Sequence, residues 1–331
     1  MNAAGFALLA VMIGAYVLLD GYDLGVAAIA PLTTRTPAER AAAMSAIGPF
    51  WNGNEVWLIA AGGALFALFP KAYASAFSGF YLPFVVVLWL LMFRGLALEL
   101  RNHFQSELWH TFWDSAFFAS SAALIVLFGV ALGNLLRGVP LDRRGYFSGT
   151  FAFLLNPYAV GVGIFALFAL AQHGLTFLTL RVDGPPARRA RRVQSIVWWF
   201  VLLAYLLVTV ATFVLRAGSV HHAAWLAFLP LPSLLALGAV RFYAARGEER
   251  GAFVASAAFL ASLLLAAAGT MFPYLLPAYP ARAGGLSIYD AAPSPSALAT
   301  TLTVTIVGLC AVVAYTIFTA GRMAGKIRAP E

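Results

Sequence analysis

Charge is what this 331-residue chain has least of: only 10% of its residues are Asp, Glu, Lys or Arg, against 62% hydrophobic, and the mean hydropathy is +0.86. An ordinary soluble domain carries about 25% charge, so a water-soluble globule is excluded. Cysteine is nearly absent as well. Cys310 stands alone inside an apolar run, which rules out an intramolecular disulfide, a thiolate metal cage and the Cys-x-x-Cys-His attachment of a covalent haem. The sequence also lacks a phosphate-cradling glycine loop, an internal repeat, a low-complexity tract and any connection long enough to fold by itself. The first apolar run has no basic residue ahead of it, unlike a signal peptide, and is expected to be retained.

What fills the chain instead is a series of charge-free runs, at residues 1–19, 72–93, 115–136, 145–180, 193–215, 217–240, 251–281 and 291–321. Each exceeds the roughly 18 apolar residues that mark a spanning helix. A ninth candidate lies at 41–70, where Glu55 is the sole charge; if it spans, Asn52, Asn54 and Glu55 enter the membrane or lie at its edge. The runs are continuously apolar and rich in Ala and Leu, not alternating, so helices are expected and a barrel is not. The expected architecture is an all-α integral membrane protein of nine transmembrane helices, one polytopic domain over 1–331. Its largest connection, about 273–296, holds Pro273, Pro277, Pro280, Pro293 and Pro295 and is expected to be irregular.

Nine spans put the termini on opposite sides and sort the basic residues into two sets. Arg35, Arg40, Arg94, Arg101, Arg181, Arg188, Arg189, Arg191, Arg192, Arg241, Arg246, Arg250, Arg322, Lys326 and Arg328 fall in one; Lys71, Arg137, Arg143, Arg144, Arg216 and Arg282 in the other. The positive-inside rule places the larger set in the cytoplasm, with the N-terminus outside and the C-terminus inside. The basic run Arg188–Arg192 then reads as a membrane anchor in a short loop, and nucleic acid is not an expected partner.

Ionisable groups within a membrane cost about 2.5 to 3.5 kcal/mol each, so the few present invite a functional reading. Asp20 and Asp23, three residues apart, share one helical face near the cytoplasmic end of the first helix. Asn52 and Glu55 have the same spacing at the start of the second, and Arg94 lies in the cytoplasmic third of the third, a charge partner for one of the acids, with Glu99 and Asp114 at the neighbouring boundary. Two carboxylates on one face repel when both are ionised, which suits proton pick-up and release; a structural polar knot around Arg94 reads the same residues equally well. Of the five histidines, His103, His110, His221 and His222 fall in connections and only His173 in an apolar run, which argues against a facing pair of haem ligands and for a polar role near a helix end. Tryptophans such as Trp51, Trp57, Trp109, Trp113 and Trp225 fit interfacial belts. The small residues Ala60 to Ala64 suit tight helix packing.

The motifs Asp20-Gly21-Tyr22-Asp23-Leu24-Gly25, Gly48-Pro49-Phe50-Trp51-Asn52-Gly53-Asn54-Glu55-Val56-Trp57-Leu58, Ala61-Gly62-Gly63-Ala64-Leu65-Phe66 and Phe77-Ser78-Gly79-Phe80-Tyr81 resemble subunit II of the cytochrome bd quinol oxidases. Gly133-Asn134-Leu135-Leu136-Arg137-Gly138-Val139-Pro140, Leu154-Leu155-Asn156-Pro157, Met271-Phe272-Pro273 and Tyr289-Asp290-Ala291 continue the likeness along the chain in the family's order.

The resemblance implies a bacterial inner-membrane respiratory complex that oxidises quinol and reduces oxygen to water, drawing the protons from the cytoplasm. It implies nine helices here, as two four-helix bundles plus one peripheral helix, with no haem in this chain. Two b haems, haem d and the quinol-oxidising loop belong to a partner, subunit I; a small single-helix accessory subunit and a bound quinone or lipid are also compatible with it. An acid on the second helix helps form the family's proton route, in a motif whose acidic form reads Trp-Asp-Gly-Asn. This chain has Trp51-Asn52-Gly53-Asn54, so the titratable group at 52 is gone. The implied route uses Asp20, Asp23 and Glu55, with Asn52 as a hydrogen-bonding relay through water. A secondary transporter with an intramembrane acidic site and a purely structural scaffold subunit are the rival readings.

Overall fold

The computed structural model describes residues 1–216, 230–280, 284–322 and 325–328. It is built almost wholly of helices, and seven of those described are long and apolar enough to cross a membrane. They are α1 (Asn2–Thr33), α5 (Tyr81–Leu100), α6 (Glu107–Arg137), α8 (Pro157–Arg181), α9 (Pro185–Arg216), α11 (Glu249–Met271) and α12 (Pro295–Arg322). The ninth candidate run becomes α3 (Trp51–Leu68), preceded by the short α2 (Pro37–Ile47) and followed by α4 (Pro70–Gly79). The one-turn α7 (Phe151–Leu154) and the 16-residue α10 (Pro230–Ala245) complete the set. The run 217–240 is described only from 230, and His221, His222, Trp225 and Arg282 lie outside the described residues.

Local chemistry sets the helix ends. Thr36 and Glu39 form a reciprocal capping box that starts α2, with Pro37 in its first turn, where a missing N–H costs nothing. Asn156 caps α8 by accepting from the Ala159 N–H at 3.0 Å, while its amide donates to Asn134 Oδ1 at 3.0 Å on α6. Two of the motif asparagines, 22 residues apart, thus close on each other. At Gly138 (φ +95°) the chain leaves α6 in a conformation that favours glycine.

Helices α1 and α8 form the centre. They cross so closely that a Cβ on Gly25 would lie 2.1 Å from the Leu170 carbonyl oxygen and one on Gly174 2.3 Å from the Gly25 carbonyl carbon. Around this pair pack α3, α6, α9 and α11, with α5 against α6, α10 against α11, and α12 on the outside of α3. The stripe Ala60 to Ala64 contributes less than expected: Ala61 and Ala64 are buried, but Cβ atoms on Gly62 and Gly63 would meet nothing. Close approach needs glycines on two facing helices, as at Gly25 and Gly174 and again at Gly129 of α6 and Gly163 of α8.

The connection at 273–296 is more regular than its prolines suggest. Tyr274–Pro277 (β2) pairs antiparallel with Gly285–Ser287 (β3), Pro277 lying at the strand end where no ladder donor is required. A second pair ties the C-terminal tail to the opposite end of the molecule: β4 (Ile327–Arg328) runs parallel to β1 (Val182–Asp183).

Apart from the buried Arg94, the described members of the two basic sets fall at opposite ends. At one end Arg40 and Arg101 hold Asp114, Arg189 holds Glu39 and the Thr33 carbonyl, and Arg181 donates to the Gly325 carbonyl. At the other, Arg216 donates to the Leu136 and Thr270 carbonyls, and Arg137 lies over the Phe153 and Tyr279 rings. Within Arg188–Arg192, Arg189 and Arg191 are thus engaged by the chain itself, Arg191 through Glu249 at 2.8 Å.

Candidate functional site: a buried acidic cluster on one arginine

The spacing of Asp20 and Asp23 puts both on the face of α1 that meets α3 and α5, and neither is exposed. Arg94, on α5, is likewise fully buried. Its guanidinium forks onto Asp20, with Nη2 donating to Oδ1 at 2.5 Å and Nη1 to Oδ2 at 3.1 Å. Nη1 also donates to Glu55 Oε1 at 2.7 Å, and Asp23 Oδ2 lies 3.9 Å from Nη2. A planar fork can serve several acids at once because it offers donors at fixed angles, where a lysine offers one compact charge. Three acids from two helices therefore converge on one cation from a third.

Asn54 completes the cluster. Its amide nitrogen faces Asp23 Oδ2 at 2.8 Å, the Tyr22 hydroxyl at 2.9 Å and the Leu19 carbonyl at 3.2 Å. Tyr22 is held in place by a stack on Phe177 at 4.1 Å between ring centroids. Asp23 Oδ1 is buried without a hydrogen-bond partner among the described residues. The Tyr16 hydroxyl stands beside Asp20 one turn back along α1.

Asn52 is placed differently. It sits on the exposed face of α3, nearly opposite Asn54, and takes no hydrogen bond within the cluster among the described residues. Glu55 lies between the two faces: one carboxylate oxygen is on Arg94, while the side chain keeps 25% of its surface open beside exposed Val56 and Ile59. Sequence spacing brings Asp20, Asp23, Glu55 and Arg94 together but misses Asn54 and Tyr22, although both lie inside the family motifs.

The remaining polar groups have structural roles. Asp114 is clamped by Arg101 (2.5 Å) and Arg40 (2.7 Å), away from the cluster. His173 is buried, with Nδ1 at 2.9 Å from Ser256 Oγ and Nε2 at 3.0 Å from the Leu18 carbonyl. Both ring nitrogens are engaged, so the residue does not fit an axial haem ligand. His103 lies near the Glu99 carbonyl at a helix end. A cavity of about 960 Å³ opens beside the cluster, bounded by α1, α3, α8, α11 and α12, with Asn54 and Tyr22 in its inner wall.

The sequence and the fold both have counterparts among known proteins. Residues 1–322 match the family model described as "Cytochrome bd terminal oxidase subunit II". The cytochrome bd-I ubiquinol oxidase subunit 2 of Escherichia coli is 32% identical over 353 residues, covering 97% of this chain and 93% of that protein. The probable cytochrome oxidase subunit 2 of Haemophilus influenzae is 32% identical over 354 residues, with 97% and 94% covered. The cytochrome bd ubiquinol oxidase subunit 2 of Bacillus subtilis is 37% identical over 201 residues, 61% of this chain and 60% of that one. A chain of the solved bd oxidase from Geobacillus thermodenitrificans, 18% identical, has the same fold, with a TM-score of 0.77 over 96% of both chains. With a family match spanning nearly its whole length and seven membrane-length helices, the chain belongs to the cytochrome bd terminal oxidase subunit II family and is a bacterial membrane subunit of a haem-carrying respiratory oxidase complex.

Proposed function

We propose that this chain is the haem-free subunit of a bd-type quinol:oxygen oxidoreductase and that its acidic cluster delivers cytoplasmic protons to the oxygen-reducing centre of subunit I. In this reading residues 1–331 form one polytopic domain of nine spans, α3 and α10 joining the seven longer helices. The spans divide into the bundles α1/α3/α5/α6 and α8/α9/α10/α11, with α12 peripheral. The end that carries Arg189 and Lys326 faces the cytoplasm, because it holds most of the basic residues. The two b haems and haem d belong to subunit I, which is consistent with His173 having both nitrogens occupied. A small accessory helix and a bound quinone or lipid complete the assembly in this reading.

The observation that carries the proposal is a charge count. Asp20, Asp23 and Glu55 share one guanidinium, so full ionisation leaves two buried negative charges uncompensated, in a setting where each costs about 2.5 to 3.5 kcal/mol. Binding a proton relieves the imbalance, and the site is thereby a proton store. Asp23 is the carboxyl placed to hold it: Asp20 and Glu55 take the short bonds of Arg94, and Asp23 Oδ1 has no partner among the described residues. The proton leaves through Glu55, which reaches from Arg94 to the outer face of α3 beside Asn52. A partly exposed carboxylate and an asparagine on an otherwise apolar face call for a polar partner surface, and subunit I is the occupant the family provides.

The test uses the complete complex reconstituted in vesicles. Glu55→Gln and Asp23→Asn are each expected to slow oxygen-reducing turnover and the accompanying charge movement at least tenfold while the haem absorption spectrum stays intact. Unchanged turnover and charge movement in both variants would reduce the cluster to a structural knot.

A further inference from the structure

The cavity beside Asn54 differs from a lipid-filled gap between helices, because its two ends are polar in different ways. The inner end is made by Asn54 and Tyr22, the two groups bonded to each other and, through Asn54, to Asp23. The outer end is ringed by charge: Glu248, Glu249 and Arg250 at the start of α11, Arg181 at the end of α8, and Lys326 in the C-terminal tail. At about 960 Å³ the cavity has room for on the order of thirty waters at roughly 30 Å³ each.

The outer ring is an assembled structure. Glu249 is held between Arg191 at 2.8 Å and Lys326 at 2.7 Å, and Lys326 also reaches Asp183 at 3.0 Å. The bond to Glu249 holds Lys326 above the usual lysine range. The tail is further fixed by β4 pairing with β1 and by Arg181 donating to the Gly325 carbonyl at 2.5 Å. The strap thus keeps the end of α12 in place as one wall. Deeper in, Tyr315 of α12 presses on Gly53, a Cβ there lying 2.8 Å from its ring, so α12 stands against α3 immediately next to Asn54.

We propose that this cavity is a water-filled antechamber inside subunit II, through which cytoplasmic protons enter between α8, α11 and the tail strap and reach Asp23 past Asn54 and Tyr22. The inference rests on the proton-delivery reading above and adds the entrance to it. The two ends of the route are physically distinct: the antechamber meets the Asn54 face of α3, whereas Glu55 and Asn52 lead away on the side where a partner is required. Each proton passes from cavity water past Tyr22 and Asn54 to Asp23, shifts within the cluster from Asp23 to Glu55, and leaves Glu55 for the partner subunit. The cluster's charge is therefore restored after each transfer, and no redox step occurs in this chain.

The test is thiol labelling of the complete complex in inside-out vesicles, with Cys310→Ala as background. Thr319→Cys and, one turn deeper, Thr316→Cys place a thiol on the cavity wall; both native hydroxyls bond only their own helix, so the exchange is conservative. Leu180→Cys, from α8, serves if the α12 variants do not assemble. Ile317→Cys points to the outside of α12 and is the control. The probe is a trimethylammonium-bearing methanethiosulfonate, which reacts only with thiols in water. The expected result is labelling at 319 and 316 but not at 317, with proton uptake during a single turnover slowed at least fivefold against the same variant unlabelled and the haem spectrum unchanged. Absence of labelling at the wall positions overturns the proposal, as does full labelling without slower uptake. Asp23→Asn in the same preparation separates the two ideas: if it slows uptake and the label does not, the antechamber alone falls; if neither slows uptake, both fall.

Discussion

Replacing Arg94 by methionine, which keeps an unbranched apolar stem but removes the guanidinium and its charge, probes the cluster most severely. The guanidinium is completely buried and supplies every ionic contact of Asp20, Asp23 and Glu55 found among the described residues. Breaking a buried pair from one side costs about 3–5 kcal/mol, since the stranded charge keeps its desolvation penalty. Protonation limits the loss. Neutralising an aspartate with an ordinary pKa of about 3.9 at pH 7 costs about 4 kcal/mol, at 1.36 kcal/mol per unit, which falls in the same interval. Arg94→Met is therefore expected to destabilise the subunit by about 3–5 kcal/mol, read from equilibrium unfolding of the complex in mixed micelles. Adding Asp20→Asn removes the stranded charge, and the double variant should recover at least about 2 kcal/mol, a coupling typical of directly bonded groups. If Arg94→Met unfolds within about 0.5 kcal/mol of the parent, or the two changes simply add, the ionic network around Arg94 is wrong.

Further expectations concern the scaffold. Gly174→Ala pushes a methyl group into the backbone of α1, which no rotamer change relieves, and should cost at least about 1–3 kcal/mol or prevent assembly, whereas Gly62→Ala should be close to neutral in the same unfolding measurement. Asn156→Ala removes the cap of α8 and a partner of buried Asn134, for a loss of about 1–3 kcal/mol, with Asn156→Asp keeping the cap but not the second bond. Lys326→Met touches a half-exposed ion pair and should change stability by under about 1 kcal/mol, an effect that fades further in high salt.

Much of this arrangement is legible from the residues, for identifiable reasons. Charge-free runs mark spans because lipid tolerates little else, and the split of basic residues into two sets matches two ends, one held by ion pairs and the other by carbonyl and ring contacts of Arg216 and Arg137. Helical geometry alone places Asp20 and Asp23 on one face. That Asn54, two residues after Asn52, is the asparagine facing Asp23 is not legible, for an equally physical reason. In a water-soluble helix the polar side shows which face turns outward, but a membrane helix is apolar all round, so nothing local reveals how α3 is rotated about its axis. Its tertiary neighbours fix that rotation: Leu19, Tyr22 and Asp23 at Asn54, Arg94 at Glu55 and Tyr315 at Gly53. The Gly25–Gly174 crossing is hidden for a related reason: it joins residues 149 apart, and either glycine alone resembles the many that pack against nothing.

The central claim is that three carboxyls on one arginine keep an exchangeable proton inside the membrane, and infrared difference spectroscopy of the reduced and oxidised complex addresses it directly. The account predicts a carbonyl-stretch band of a protonated, buried carboxylic acid at neutral pH that shifts in heavy water and vanishes in Asp23→Asn but persists in Asp114→Asn. A spectrum without such a band, or one in which the band survives Asp23→Asn unchanged, contradicts it.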